Sequence, residues 1–124
     1  RAFFRGELRI LMQFARHEAR LRQPVSEKDR TPVGAHYQEL ASRGNASAIA
    51  ALLPPPFPIA LTSLWQKFER LDGMREVGQY GPLRFTPAHI KAACDLFGWQ
   101  LTPQDVEALV ALDVVMLYPD AGQD

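Results

Sequence analysis

Apolar positions along the chain recur at steps of three and four, the spacing of one helix face. In residues 3–23, Leu8, Leu11 and Ala15 share a stripe, Ile10, Phe14 and Leu21 flank it, and Glu7, Arg9, Arg16, Glu18, Arg20 and Arg22 supply the polar remainder. Pro24 closes this helix, because proline has no amide hydrogen and its ring clashes with the preceding turn. After the loop QPVSEKDR, Thr31 is placed to cap a second helix with Pro32 at its first position. That helix is short and weakened by Gly34, and Gly44–Asn45 ends it. The alanine-rich ASAIAALL forms another short helix with ease.

The stretch PPPFP at 54–58 leads into the strongest pattern in the sequence. From Ile59 to Asp72, Leu61, Leu64, Trp65, Phe68 and Leu71 fall on one face, Gln66, Lys67, Glu69 and Arg70 on the other, and Gly73 is placed as a left-handed stop. REVGQYGPLR reads as a loop, its glycines and proline opposing a helix. Two similar segments follow, FTPAHIKAACDLFGW and LTPQDVEALVALDVV. In them Thr86 matches Thr102, Pro87 matches Pro103, Ile90 matches Val106, Ala93 matches Leu109 and Leu96 matches Leu112. Each Thr-Pro is a cap followed by a first-turn proline, and Gly98 terminates the first of the pair. No segment shows the period-two alternation of a strand.

These elements predict an all-α protein, a small helical bundle. Residues 1–53 would form an N-terminal helical arm, 54–118 a C-terminal helical domain behind a proline-rich joint, and 119–124 a flexible tail. The prolines admit two functional readings. Pro55 and Pro58 have the spacing of a docking ligand but no flanking basic residue, whereas a stiff spacer follows directly from proline's fixed backbone angle. The spacer is the better fit.

Composition adds that the chain, 47% hydrophobic and 23% charged, is that of a soluble globular domain rather than a disordered one. No apolar run approaches the ~20 residues that cross a bilayer. The chain opens on Arg1 rather than Met, as a trimmed chain, an unresolved start or a product segment would. A single cysteine, Cys94, excludes an internal disulfide framework and suits a reducing cytoplasm. The net charge is zero but polarised: residues 1–43 hold nine Lys and Arg against five acids, and residues 92–124 hold six acids and no base. The two halves could attract each other within one molecule or between molecules.

Candidate chemistry is sparse. His17, His36 and His89 are far apart, and His89 and Cys94 point to different sides of one helix, so no metal ligand set or cofactor site is expected. No nucleophile–base pair stands out, which points away from an enzyme. Glu69 and Asp72, near Arg70 and Arg75, read as surface ion pairs. The closing helix pair resembles a helix-turn-helix in outline, but its second helix carries Asp105, Glu107 and Asp113 and no base, which disfavours nucleic acid. From Ala108 to Tyr118 only Asp113 is charged, so this helix is central to a core or half exposed for a partner, including another copy of the chain.

PPPFPIALTSLWQKFERLDGMR, a Gly/Pro loop, and FTPAHIKAACDLFGWQLTPQDVEALVALDVVML together resemble the tail assembly chaperones of long-tailed bacteriophages, over about residues 30–118. The resemblance is carried by the ordered set Leu64, Trp65, Phe68, Leu71, Arg75, Ile90, Leu96, Val106, Glu107, Leu109, Leu112 and Asp113. The chain departs from the family pattern in placing Trp99 after the glycine instead of a tryptophan within the middle helix. The resemblance implies a non-catalytic protein of the bacterial host cytoplasm that binds the phage tape-measure and tail-tube proteins during tail assembly. Such a protein needs exposed apolar helix faces, for which Leu61, Leu64, Trp65, Phe68, Val110, Val114 and Leu117 are the candidates, though a core would use the same residues. Two other readings stay open: a small DNA-binding regulator or packaging factor, and a structural tail or connector component of the virion.

Overall fold

Helix α1 (Ala2–Arg22) opens the computed structural model, which describes residues 2–121. It is followed by α2 (Val33–Ser42), α3 (Ala46–Leu52), a 3-10 turn (Ile59–Leu61), α4 (Thr62–Gly73), a hairpin of β1 (Val77–Gly78) and β2 (Gly81–Pro82), α5 (Pro87–Phe97) and α6 (Pro103–Leu117). The protein is mainly α-helical. The expectation of an all-α chain is corrected by the hairpin, whose strands pair antiparallel with Val77 opposite Pro82 and Gly78 opposite Gly81. Two residues per strand are too few to show any alternation, so the hairpin left no periodic trace in the sequence.

Local chemistry sets most of the helix ends. Thr86 and Thr102 cap α5 and α6 as their sequences require, and Thr102 forms a full capping box with Asp105. Gly98, in the left-handed region at φ 67°, ends α5. Three expected ends differ. Thr31 is no cap: its amide donates to Asp29 and its carbonyl accepts from the Val25 amide, which pins the 24–32 loop, and α2 begins after Pro32. Asn45 does more than end α2, since its side chain accepts from the Ala48 amide and caps α3. Gly73 is the last residue of α4 rather than a left-handed stop, and Met74 follows it at φ −106°.

One hydrophobic core runs through the chain. Leu11, Ala15 and Ala19 of α1 join Leu64, Trp65, Phe68 and Leu71 of α4, Ile90 and Ala93 of α5, and Ala108, Leu109 and Leu112 of α6 in a single cluster. Helix α1, expected as part of an arm, therefore shares the core of 54–118 and lies along α6. Arg16 donates to the Pro119 carbonyl and Arg20 pairs with Asp120, so the basic N-terminal helix meets the acidic end of the chain within one molecule. Pro119 and Asp120 of the expected tail are thereby held on α1, and 122–124 lie outside the described residues.

The proline run is a joint that delivers a side chain. Pro58 is buried and Phe57 wedges edge-on against Phe14 of α1, at 5.0 Å, and against Trp65 of α4, at 6.4 Å. From there aromatic contacts continue through Trp65 and Phe68 to Phe85, so one stack ties α1, the proline joint, α4 and the start of α5.

Candidate partner-binding groove

The residues proposed from sequence as a binding face divide sharply. Leu61, Leu64, Trp65 and Phe68 are core: Trp65 is 8% exposed and Phe68 is 0% exposed. Their common face, correctly read from spacing, is turned inward because α1 and α6 cover it. Val110, Val114 and Leu117 are half-buried along the outer side of α6, in line with Val106 at successive helical turns.

Beside that stripe the helix pair leaves an open groove of about 490 Å³. Ile90 and Cys94 of α5, Val106 and Val110 of α6, and Trp99 and Leu101 of the connecting link line it, with Phe85 behind. The sequence produces this opening in a simple way. Pro87, Ile90, Lys91, Cys94 and Asp95 occupy one face of α5, and Gly98 then turns the chain so that Trp99 closes one end. The α5 rim is neutral overall, because Lys91 pairs with Asp95 at 3.4 Å. Trp99 was visible in the sequence only as an oddity after a glycine. Its position next to a left-handed helix stop, where the chain leaves the helix axis, is the signal that could have marked it.

On the far side of Trp99 lies a polar basin lined by Ser63, Gln66, Lys67, Glu69 and Arg70 of α4. Lys67 Nζ sits 5.9 Å from the Trp99 ring centre and donates to Ser63 Oγ, and the Arg70 guanidinium lies 4.6 Å over Phe97. Phe97 and Trp99 contact each other at 5.3 Å, so the two cations and two rings form one patch.

The groove stands on a buried ionic knot. Asp113 of α6, 1% exposed, accepts from Arg75 Nη1 at 2.5 Å and from the Phe85 amide at 2.9 Å. Arg75 also donates to Asp72 at 3.0 Å and to the Leu83 carbonyl at 2.8 Å, and its guanidinium lies 4.2 Å over the Phe85 ring. Asp72 is shared with Arg22 of α1 at 2.7 Å. Arg75 and Asp72, read from sequence as surface partners, are thus the clamp that fastens the hairpin and the start of α5 onto α4 and α6. Glu69 takes no part in it.

Among the described residues no three His, Cys, Asp or Glu side chains gather as a metal site, and no helix is long and apolar enough to cross a membrane. The arrangement suits contact with another macromolecule: an apolar groove, a half-open apolar helix stripe and an aromatic–cation patch on one rigid base.

A family model described as phage tail assembly chaperone matches residues 36–118. The chain belongs to this family. No curated protein matches it, and no solved structure does. In this tail assembly chaperone the matched span runs from within α2 to the end of α6 and contains the groove, the knot and the hairpin. Helix α1 lies before the match yet supplies three core residues. Arg75 and Asp113, two members of the ordered set behind the sequence resemblance, are bonded to each other, and Trp65, Phe68, Leu71, Leu109 and Leu112 of that set are core. Leu96 and Glu107 of the set stand exposed, and Val106 is half-buried on the groove wall.

Proposed function

We propose that this tail assembly chaperone acts without catalysis, in the cytoplasm of the bacterial host, by binding the tape-measure protein and tail-tube protein reversibly before they assemble. The observation that carries the reading is an apolar groove on the α5–α6 pair, inside the span that the family match covers. Helix-in-groove binding uses such a surface, with apolar anchors one turn apart on the occupant and little change in the receptor. Against the DNA-binding alternative, α6 packs one face on α1 and α4, leaves an apolar rather than a basic stripe half open, and commits Asp113 to the knot.

Co-expression with a tape-measure protein tests this. The wild-type chain keeps the client in the soluble fraction and co-purifies with it. Val110→Asp, which sets a charge on the groove wall, releases the client while circular dichroism stays helical. Alkylating Cys94, the one thiol in the chain, with a bulky maleimide has the same effect without any substitution. A client that remains insoluble with the wild-type chain defeats the proposal. Recovery of the chain in stoichiometric amounts from purified particles would instead make it a virion component.

A further inference from the structure

Along the groove itself the charges cancel, and the unpaired cations stand at its Trp99 end. Asp95 is held by Lys91, and Asp105 accepts from the Thr102 amide in the capping box. Lys67 and Arg70, one turn apart on the outer face of α4, have no carboxylate within ion-pair distance among the described residues. Both are laid against rings at the Trp99 end of the groove, which fixes where their charged heads stand. Glu69 is the single acid lining that basin, against two cations, so the basin carries a positive excess. The groove floor along α5, from Pro87 to Asp95, covers about two helical turns, roughly 12 Å.

We infer that the groove takes an amphipathic helix with apolar anchors over two turns and a carboxylate in the adjoining turn, which Lys67 and Arg70 receive beside Trp99. This rests on the reading of the chain as a client-binding chaperone and names the chemistry of the segment it selects. The apolar anchors supply the area that Trp99, Val106 and Val110 leave half open. The two cations choose among apolar helices: an acidic neighbour is attracted and a basic one repelled, which raises specificity more than affinity. A charge-neutral groove alone would hold any exposed apolar helix, including those of unfolded host proteins.

The test uses synthetic helical peptides of about sixteen residues, with leucines at helical spacing and Glu, Gln or Lys in the turns flanking them on both sides. Titration calorimetry at about 50 mM salt is expected to show the Glu peptide binding about fivefold tighter than the Gln peptide and the Lys peptide weakest. The order should flatten at about 500 mM salt. Lys67→Glu with Arg70→Glu, two changes on the outside of α4, should reverse the order while leaving the unfolding transition in place. Cys94 alkylation should block all three peptides. Equal affinity for the three peptides, or an order unchanged by the charge reversal, overturns the inference. So does self-association of the free chain that the alkylation abolishes, since the groove would then belong to a second copy. The tape-measure co-expression separates the two levels. If the wild-type chain fails to hold that client, the chaperone reading falls. If the charge-reversed chain holds it as well as the wild type, only the carboxylate preference falls.

Discussion

Asp113 shows how one buried charge can organise a small protein. In the apolar run of α6 it looks like an interruption, but its carboxylate takes a guanidinium hydrogen from Arg75 and the Phe85 amide. Removing one member of such a pair leaves the other charged and dry, which costs far more than the pair is worth as a unit. Asp113→Ala should therefore destabilise by about 3–5 kcal/mol in urea unfolding. Arg84→Ala is the contrast. Its Nε is 3.8 Å from the same carboxylate and its side chain is half exposed, so the change should stay within about 0.5 kcal/mol. Replacing both partners, with Arg75→Met and Asp113→Leu, should cost clearly less than the two single losses added together, because no orphaned charge remains. Nothing in the spacing announced this bond. Its partners are 38 residues apart, and at that range the sequence shows only that two opposite charges exist.

At the scale of elements, what was legible is what is decided within a few residues. Thr86, Pro87, Gly98, Thr102 and Pro103 act through their own backbone neighbours, and the α5 and α6 boundaries follow from them. What was illegible depends on a distant partner. Gly34 reads as a weakness in α2, yet a Cβ there would stand 3.1 Å from the Leu21 carbonyl oxygen and 3.2 Å from the Leu21 Cβ. The glycine lets α2 cross the end of α1 closely. Gly34→Ala would gain up to about 1 kcal/mol of helix propensity and lose about 1–3 kcal/mol to the crowding. The expected net result is a lower urea midpoint. Gly6 of α1 is the matched control, with nothing within 4 Å of its would-be Cβ. Gly6→Ala should raise stability by up to about 1 kcal/mol, less where the helix end frays. If both alanines stabilise, the α1–α2 crossing is looser than its distances say.

The whole molecule decides which apolar face is core and which is left for a partner. Spacing placed Leu61, Leu64, Trp65 and Phe68 correctly on one side of α4, but a helix pattern says only that a face is covered, never by what. The answer lay in α1, whose Leu11, Ala15 and Ala19 close the cluster with α6, and in Phe57, carried into the stack by the prolines. This bears directly on how mutants of the chaperone are interpreted. Phe68→Ala and Trp65→Ala each remove an enclosed aromatic side chain, at about 3–5 kcal/mol apiece. The total stability of such a domain is about 5–15 kcal/mol, so the double variant should be unfolded or nearly so at 37 °C. Its loss of client binding would then report a lost fold rather than a lost contact. Val110→Asp lies on the half-open wall and should melt cooperatively, with the helical signal retained. The decisive comparison is thermal unfolding of the two variants side by side. A cooperative, near-native melt for the Trp65/Phe68 double variant would show that the α4 face is not essential to the core, and would return it to the list of surfaces a client could use.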